Sequence, residues 1–451
     1  MKKRSTFSSK IGFVFVAAGS AVGLGNLWRF PYLAAKYGGG SFLLVYLLLA
    51  VTFGFTLMMT EIAIGRKTGK SAVLAYRDLN KKFAFNGYLT AIIPMLIFPY
   101  YTIINGWVLK YFTLFLTGNM HTAVTDGYFS SFIGSTYEPL VWFLICLLMI
   151  AMVILAGVES GIEKICKVLM PVLLVLMIVV AGYISIQPGA MEGISYYLIP
   201  NFANFSAKTV LAAMGQLFYS LSLAMGIMIT YGSYLTKDNH LEESIKQIEI
   251  FDSSVAFLSG MMIIPAVFAF AGGTQETLTA GPALMFITLP KAFVGMSGGR
   301  LIGTSFFMMV FLAALTSSIA LMEAVTSIFM DLFGINRRTA TAVTLLYALP
   351  FGGVISLGYG PLANVTIGGM QLLDFVDFLS NSILMPIVAI VTCIFVGFVL
   401  KPETIIAEIE HGGAQFKRKK MYTIMIKYIA PWLMLIVLLS SIAQALGIIS
   451  L

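Results

Sequence analysis

Few side chains in this sequence could do chemistry, and they sit in unusual places. Asp252 lies inside a long apolar segment, in Phe251-Asp252-Ser253-Ser254. A carboxylate there needs a proton or a bound cation. Thr316-Ser317-Ser318 interrupts a second apolar segment, and Tyr219-Ser220-Leu221-Ser222-Leu223-Ala224-Met225-Gly226 a third. The first apolar segment carries Gly19-Ser20-Ala21-Val22-Gly23-Leu24-Gly25-Asn26. Three glycines in seven residues, followed by Asn26, Arg29 and Pro31, disfavour continuous helix. Non-helical backbone at membrane depth is tolerated only where protein buries it or water reaches it. Carbonyls freed at Gly19, Ala21 and Val22 join the hydroxyls of Ser220, Thr316 and Ser317, the Asn26 amide and Asp252. That oxygen set suits a hard cation such as sodium, by analogy with harder divalent ions. Amides freed at Leu24 and Gly25 suit a carboxylate, and freed carbonyls suit an ammonium. Together they have the shape of an amino acid. The competing readings are a glycine surface for close helix packing and serines bonded back to carbonyls one turn away.

The elements that position these groups follow from composition. Of 451 residues, 59% are hydrophobic and 11% charged, with a mean hydropathy of +0.92. This is an all-α polytopic membrane protein, not a soluble one. The hydropathy pattern predicts eleven spans, at roughly 11–36, 42–64, 87–117, 138–156, 164–186, 207–235, 244–271, 300–332, 338–356, 372–398 and 422–448. Residues 275–297, broken by Pro282 and Pro290, read as an extracellular helical hairpin. The first span contains Arg29 and is too long for a cleavable signal. Cys146, Cys166 and Cys393 fit no disulfide or metal spacing. No nucleophile–base pair, His cluster or phosphate loop supports an enzyme.

Lys and Arg crowd alternate loops: Lys2, Lys3, Arg4 and Lys10, then Arg66 to Lys82, then Lys417-Arg418-Lys419-Lys420. The 118–137 and 357–370 loops have neither. The N-terminal segment 1–10 is therefore expected in the cytoplasm and the C-terminus outside, in a plasma membrane. The net charge of +8 reflects this asymmetry, with no role for nucleic acid. The two interrupted segments open corresponding halves, 11–186 and 207–398, with the last span, 422–448, outside the repeat. Matching breaks of this kind point to a transporter site at the membrane midplane.

Gly19 to Pro31 (GSAVGLGNLWRFP), Gly38-Gly39-Gly40 with Tyr46, Tyr100-Tyr101, Gln216 to Ser222 and Thr316-Ser317-Ser318 resemble the neurotransmitter:sodium symporter family. The resemblance covers nearly the whole chain. It implies the LeuT fold, a 5+5 inverted repeat with broken helices 1 and 6, and sodium-coupled symport by alternating access. It implies two sodium ions. The first would meet Ala21, Asn26, Ser220, Asp252 and the substrate carboxylate. The second would meet Gly19, Val22, Ala313, Thr316 and Ser317. Substrate would contact Ala21, Gly23, Leu24, Gly25, Tyr101, Tyr219, Ser220 and Ser222, with a side-chain pocket of Ile97, Tyr101, Tyr219, Met225, Ser317 and Leu321. An outer gate would pair Arg29 with Asp377, near Asp374, and an inner gate Arg4 with Asp331. Glu61 and Glu323 read as structural braces.

The pocket lacks the acidic residue that holds monoamines in this family, so neutral hydrophobic or aromatic L-amino acids are expected. Eleven spans, and Gly161 nine residues before Pro171, resemble the bacterial branch that takes several hydrophobic amino acids. In that reading, unwinding near Gly161 opens a water path to the inner sodium site. The family typically has twelve spans where eleven are expected here, so its dimer contacts are not carried over and a monomer or weak dimer is expected. Position 252 is Asp where many relatives have Asn, and Ala256 offers no hydroxyl. A fixed carboxylate beside Tyr46, Gln216 and Ser220 makes chloride redundant, so chloride-independent uptake is expected. A non-transporting amino-acid sensor and a ligand-gated channel are the rival readings.

Overall fold

The computed structural model describes residues 5–202, 205–270 and 282–448. Among them, nine helices are long and apolar enough to cross a membrane. They are α3 (Gly40–Thr68), α5 (Lys81–Leu116), α6 (Glu138–Ala156), α7 (Val158–Ser185), α10 (Leu241–Phe270), α12 (Gly299–Phe333), α13 (Arg337–Leu357), α14 (Leu372–Val399) and α16 (Lys419–Ala445). A tenth crossing is a bent pair, α1 (Lys10–Ala21) and α2 (Gly25–Lys36), with 55° between them. A second interrupted pair, α8 (Ala207–Ser220) and α9 (Ile227–Gly232), falls within the predicted span 207–235. Each half is too short to cross alone. The count of eleven rests on taking that pair as one crossing.

The core runs along α12, whose most apolar window is 89% buried, whereas that of α16 is 28% buried. Helix α12 is apolar on all sides because α1, α5, α6 and α7 pack around it. The outer helices leave apolar side chains such as Leu346, Trp432 and Leu439 exposed, as lipid-facing surfaces must be. Close approach is built with small residues. A Cβ on Gly65 of α3 would lie 1.9 Å from the Ile229 carbonyl, and one on Gly232 of α9 would lie 2.3 Å from the Ile62 carbonyl. These reciprocal glycines let α3 and α9 touch backbone to backbone.

Short helices close the ends: α4 (Ala72–Leu79), α11 (Leu284–Gly295) and α15 (Pro402–Ile409). Only α11 of the predicted 275–297 hairpin is seen, because residues 275–281 lie outside the described ones.

Candidate functional site

The first break is a true interruption. Helix α1 ends where Val22 turns extended (ψ 105°) and donates its amide to the Ala18 carbonyl at 2.7 Å. Helix α2 then begins with the π-helical turns Gly25–Arg29. Asn26 caps the gap: its Oδ1 accepts from the Gly23 amide at 3.2 Å. The Leu24 amide donates to Tyr101 Oη at 3.0 Å. A Cβ on Gly23 would come within 2.6 Å of that same oxygen, so only glycine allows Tyr101 this close.

The second break needs strained backbone. Ser222 (φ 53°) and Ala224 (φ 61°) are left-handed without being glycine. That conformation costs about 1–2 kcal/mol per residue and persists only where neighbours enforce it. Glu61 on α3 supplies the enforcement, because its Oε1 accepts the Ala224 amide at 2.6 Å. Ser222 reaches across to the first break, donating to the Ser20 carbonyl at 2.8 Å, with Ser20 Oγ at 3.1 Å from its hydroxyl.

Asp252 joins the two breaks. Its Oδ1 accepts from Asn26 Nδ2 at 2.8 Å and lies 3.0 Å from Ser220 Oγ. Its Oδ2 accepts from Tyr46 Oη at 3.0 Å. Asn26, Tyr46 and Asp252 have no solvent exposure. Gln216 holds the adjoining turn, donating to the Gly25 carbonyl at 2.8 Å.

A second oxygen cluster lies on the other side of α1. Ser317 Oγ is 3.3 Å from the Gly19 carbonyl and 3.1 Å from that of Val22. Thr316 Oγ1 reaches the Ala313 carbonyl of its own helix at 3.0 Å. A Cβ on Gly19 would lie 3.2 Å from Thr316 Cβ, so the first break is seated directly on α12. Ser317 thus meets the Gly19 and Val22 carbonyls, whereas the Thr316 hydroxyl bonds back to the Leu312 and Ala313 carbonyls of its own helix.

Between the clusters is a pocket lined by Ala21, Gly23, Gly25, Asn26, Ser220 and Ser222, with Ile97, Tyr101, Tyr219, Met225, Ser317 and Leu321. Leu24 alone of the predicted substrate set faces elsewhere, into the cavity described next, while its amide still points to Tyr101. Ser20 and Ile227 also line the pocket. Sequence reasoning missed both. Ser20 lay in view within the glycine stretch, whereas Ile227 carries no signal beyond following Gly226.

Beyond Tyr101 and Tyr219 opens a cavity of about 520 Å³, walled by Trp28, Arg29, Tyr32, Asp374, Asp377 and Asn381 among others. The expected ion pair between Arg29 and Asp377 is not formed. Among the described residues, neither makes an ion pair within 4.0 Å. The Arg29 guanidinium lies over the Tyr219 ring, 5.4 Å from its centroid. Asp377 accepts instead from Tyr100 Oη at 2.8 Å and Asn381 Nδ2 at 2.6 Å. The spacing of a polar neighbour four residues after Asp377 was legible and outcompetes the arginine locally. The other expected pair cannot be described, because Arg4 lies outside the described residues. Asp331 accepts from the Ser71 amide at 2.6 Å.

The end of the molecule where α1 begins is held together by buried charge. Glu323 meets Arg337 at 2.6 and 2.8 Å and accepts from Tyr234 Oη at 2.5 Å, the brace expected of it. Arg66 donates to Glu408 Oε1 at 2.8 Å, to the Asn239 carbonyl at 2.7 Å and to the Glu408 carbonyl, while Lys237 shares the Glu408 carboxylate.

The family model for the sodium:neurotransmitter symporter family matches residues 4–129 and 127–448. A sodium-dependent transporter of Bacillus subtilis (strain 168) is 32% identical over 449 residues, covering 98% of each chain. The sodium- and chloride-dependent GABA transporter 2 of Rattus norvegicus is 27% identical over 428 residues, covering 84% of this chain and 70% of its own. The crystal structure of MhsT in complex with L-phenylalanine superposes with a TM-score of 0.87 at 34% identity, covering 97% of this chain and all of MhsT. The chain belongs to the sodium:neurotransmitter symporter family and has its LeuT fold.

Proposed function

We propose that this sodium-dependent transporter carries neutral hydrophobic or aromatic L-amino acids, with two sodium ions and without chloride. The observation that carries the reading is the pocket between the two breaks. Its floor is polar main chain with Tyr101, and its far wall is Ile97, Met225, Ile227 and Leu321 with no carboxylate except through Asn26 and Ser220. A zwitterion's carboxylate would meet the Leu24 and Gly25 amides and Tyr101. Its ammonium would meet the carbonyls of Ala21, Tyr219 and Ser220, together with Ser222. An apolar side chain would lie against Met225, which adapts to several shapes. The bound L-phenylalanine of MhsT supports this substrate class.

The first sodium would sit at Ala21, Asn26, Ser220 and Asp252, sharing the substrate carboxylate. The second would sit at Gly19, Val22, Ala313, Thr316 and Ser317. Because substrate and ion share ligands, each raises the other's affinity by the same factor. The membrane potential adds about 2.3 kcal/mol per charge per 100 mV. The Lys and Arg asymmetry puts the N-terminal end in the cytoplasm, so the Arg29 cavity faces outside. Alternating access then closes Arg29 toward Asp377 on one side and opens α1 on the other.

Uptake of labelled tryptophan and leucine into proteoliposomes tests the reading. Accumulation should require sodium, be competed by hydrophobic L-amino acids, and persist when chloride is replaced by gluconate. Binding without accumulation would identify a sensor instead, and loss of uptake without chloride would remove the role given to Asp252. Thr316→Ala should raise the sodium concentration for half-maximal uptake by about tenfold or more.

A further inference from the structure

One basic group lies inside a membrane-spanning helix, away from the pocket and the oxygen clusters. Lys427 is the third residue of the π-helical turns Met425–Ile429 of α16 and falls within the span expected at 422–448. It is half-buried. Among the described residues its ammonium makes no ion pair and no hydrogen bond. An unpaired ammonium in an apolar layer is costly, and such a residue is a candidate site by default.

The packing makes room for it. Met425–Ile429 face a second set of π-helical turns, Phe395–Val399 at the end of α14. Such turns are rare and concentrate at functional positions. Gly397 stands between them: a Cβ there would lie 3.4 Å from both Cα and Cγ of Lys427, so the lysine stem runs directly past the glycine. The side chains around this recess are apolar and exposed, Ile424 and Tyr428 on α16 and Phe398 on α14.

Toward the start of α16 the basic side chains continue. Lys420 is seven residues before Lys427, about 10 Å along the helix. Lys401 follows the end of α14, four residues after Gly397, and holds left-handed backbone at φ 69° although it is not glycine. Both are exposed, and neither has an ion-pair partner among the described residues. Their neighbours are committed elsewhere. Lys419 lies 3.4 Å from Glu410, and Arg418 turns inward over the Phe55 ring and toward Glu249. This is the end where α1 begins: Lys10 pairs with Glu243 at 2.6 Å, and the neighbouring Glu242 accepts the Lys417 amide at 2.9 Å.

We propose that Lys427, Lys420 and Lys401 hold the phosphate headgroup of an anionic phospholipid, whose acyl chains lie along Ile424, Tyr428 and Phe398. A lysine stem follows apolar surface while its ammonium reaches headgroup depth. Each lysine at an anionic membrane surface favours such a lipid by about fivefold. A soluble anion would have to cross the apolar rim to meet Lys427, whereas a lipid phosphate arrives with its own tails. The bound lipid bridges α14 and α16 on their outer side.

The test uses the full chain in phosphatidylcholine nanodiscs containing increasing fractions of tail-brominated phosphatidylglycerol or tail-brominated phosphatidylcholine, which quench tryptophan on contact. Trp432 of α16 is 65% exposed, Trp107 is buried and Trp28 lines the Arg29 cavity, so Trp142→Phe leaves Trp432 as the tryptophan facing lipid tails. Phosphatidylglycerol should reach half-maximal quenching at a fraction about tenfold lower than phosphatidylcholine. Lys427→Gln should remove about fivefold of that preference, and Lys427→Arg should keep it. Should Lys427→Gln fold poorly, Lys420→Gln with Lys401→Gln changes exposed side chains alone and should shift the preference in the same direction. Quenching by phosphatidylcholine should be the same in all variants. Arg338→Gln, at an exposed position where α13 begins, should leave the preference unchanged. An equal loss there would show diffuse surface charge and overturn the site. A preference absent from the unchanged protein, or unaffected by the lysine variants, would also overturn it. Inorganic phosphate in the buffer should not reverse the quenching; reversal would assign the lysines to soluble phosphate and overturn the lipid.

Discussion

The two ends of the molecule treat charge in opposite ways. At the Arg29 end a cavity of about 520 Å³ is lined by the arginine, Asp374 and Asp377; Arg29 rests on Tyr219, and Asp377 on Tyr100 and Asn381. At the N-terminal end Glu163, Glu323 and Glu408 are each buried and each paired with a cation and with hydrogen-bond donors. Solvated charges facing each other cost little to hold apart and gain little from pairing. Buried pairs are costly to break from one side, because the remaining charge is stranded. The difference teaches which closure is ready to form and which must be undone. The Arg29 end holds no ion pair across its cavity, whereas at the N-terminal end buried ion pairs fasten α3 and α13 to their neighbours.

The comparison is broken most sharply at Arg66. Arg66→Ala removes the bonds to Glu408 and to the Asn239 carbonyl, leaves Glu408 with Lys237 alone, and should destabilise the detergent-solubilised protein by about 1.5–3 kcal/mol, read as a drop in its thermal unfolding midpoint. Replacing both partners, Arg66→Met with Glu408→Met, should recover much of the loss; an equal or larger drop would show that the bonds to the Asn239 and Glu408 carbonyls dominate. A smaller effect is expected at the other end. Arg29→Ala should cut the maximal uptake rate about tenfold while leaving the unfolding midpoint nearly unchanged, because no buried partner is stranded. A large loss of stability there would make the two ends alike. The smallest effect belongs to the exposed pair of Asp126 and Lys291, 2.8 Å apart, with the lysine on α11. The Lys291 ammonium holds the Asp126 carboxyl below its ordinary value. The contact is then fully present above the ordinary carboxylate range and is lost as pH falls through the lowered value. Asp126→Asn should leave uptake and its pH profile near neutrality unchanged.

Much of this architecture was legible along the chain. The span expected at 138–156 is Glu138–Ala156, and the one at 372–398 is Leu372–Val399. Both breaks fall within the glycine and serine stretches that predicted them, and Asp252 and Ser317 meet the first break while the Thr316 hydroxyl stays on its own helix. The Arg29–Asp377 pair is where that reasoning went too far. Two opposite charges at similar depth suggested a bond, but Asn381, one turn from Asp377, and Tyr100 reach the carboxylate first.

What the sequence determined by itself is therefore local: how long a segment stays apolar, and where its backbone cannot remain helical. Both are sums over neighbouring residues, so they survive without knowledge of the fold. What only the tertiary structure decided is which distant groups satisfy each other. Arg66 and Glu408 are 342 residues apart, Ser8 and Glu163 are 155 apart, and Ser20 finds Ser222 across both halves. A buried polar atom must have a partner, but its choice depends on geometry to within a fraction of an ångström. That geometry is set by the packing of all the helices together and is written in no single stretch of the chain.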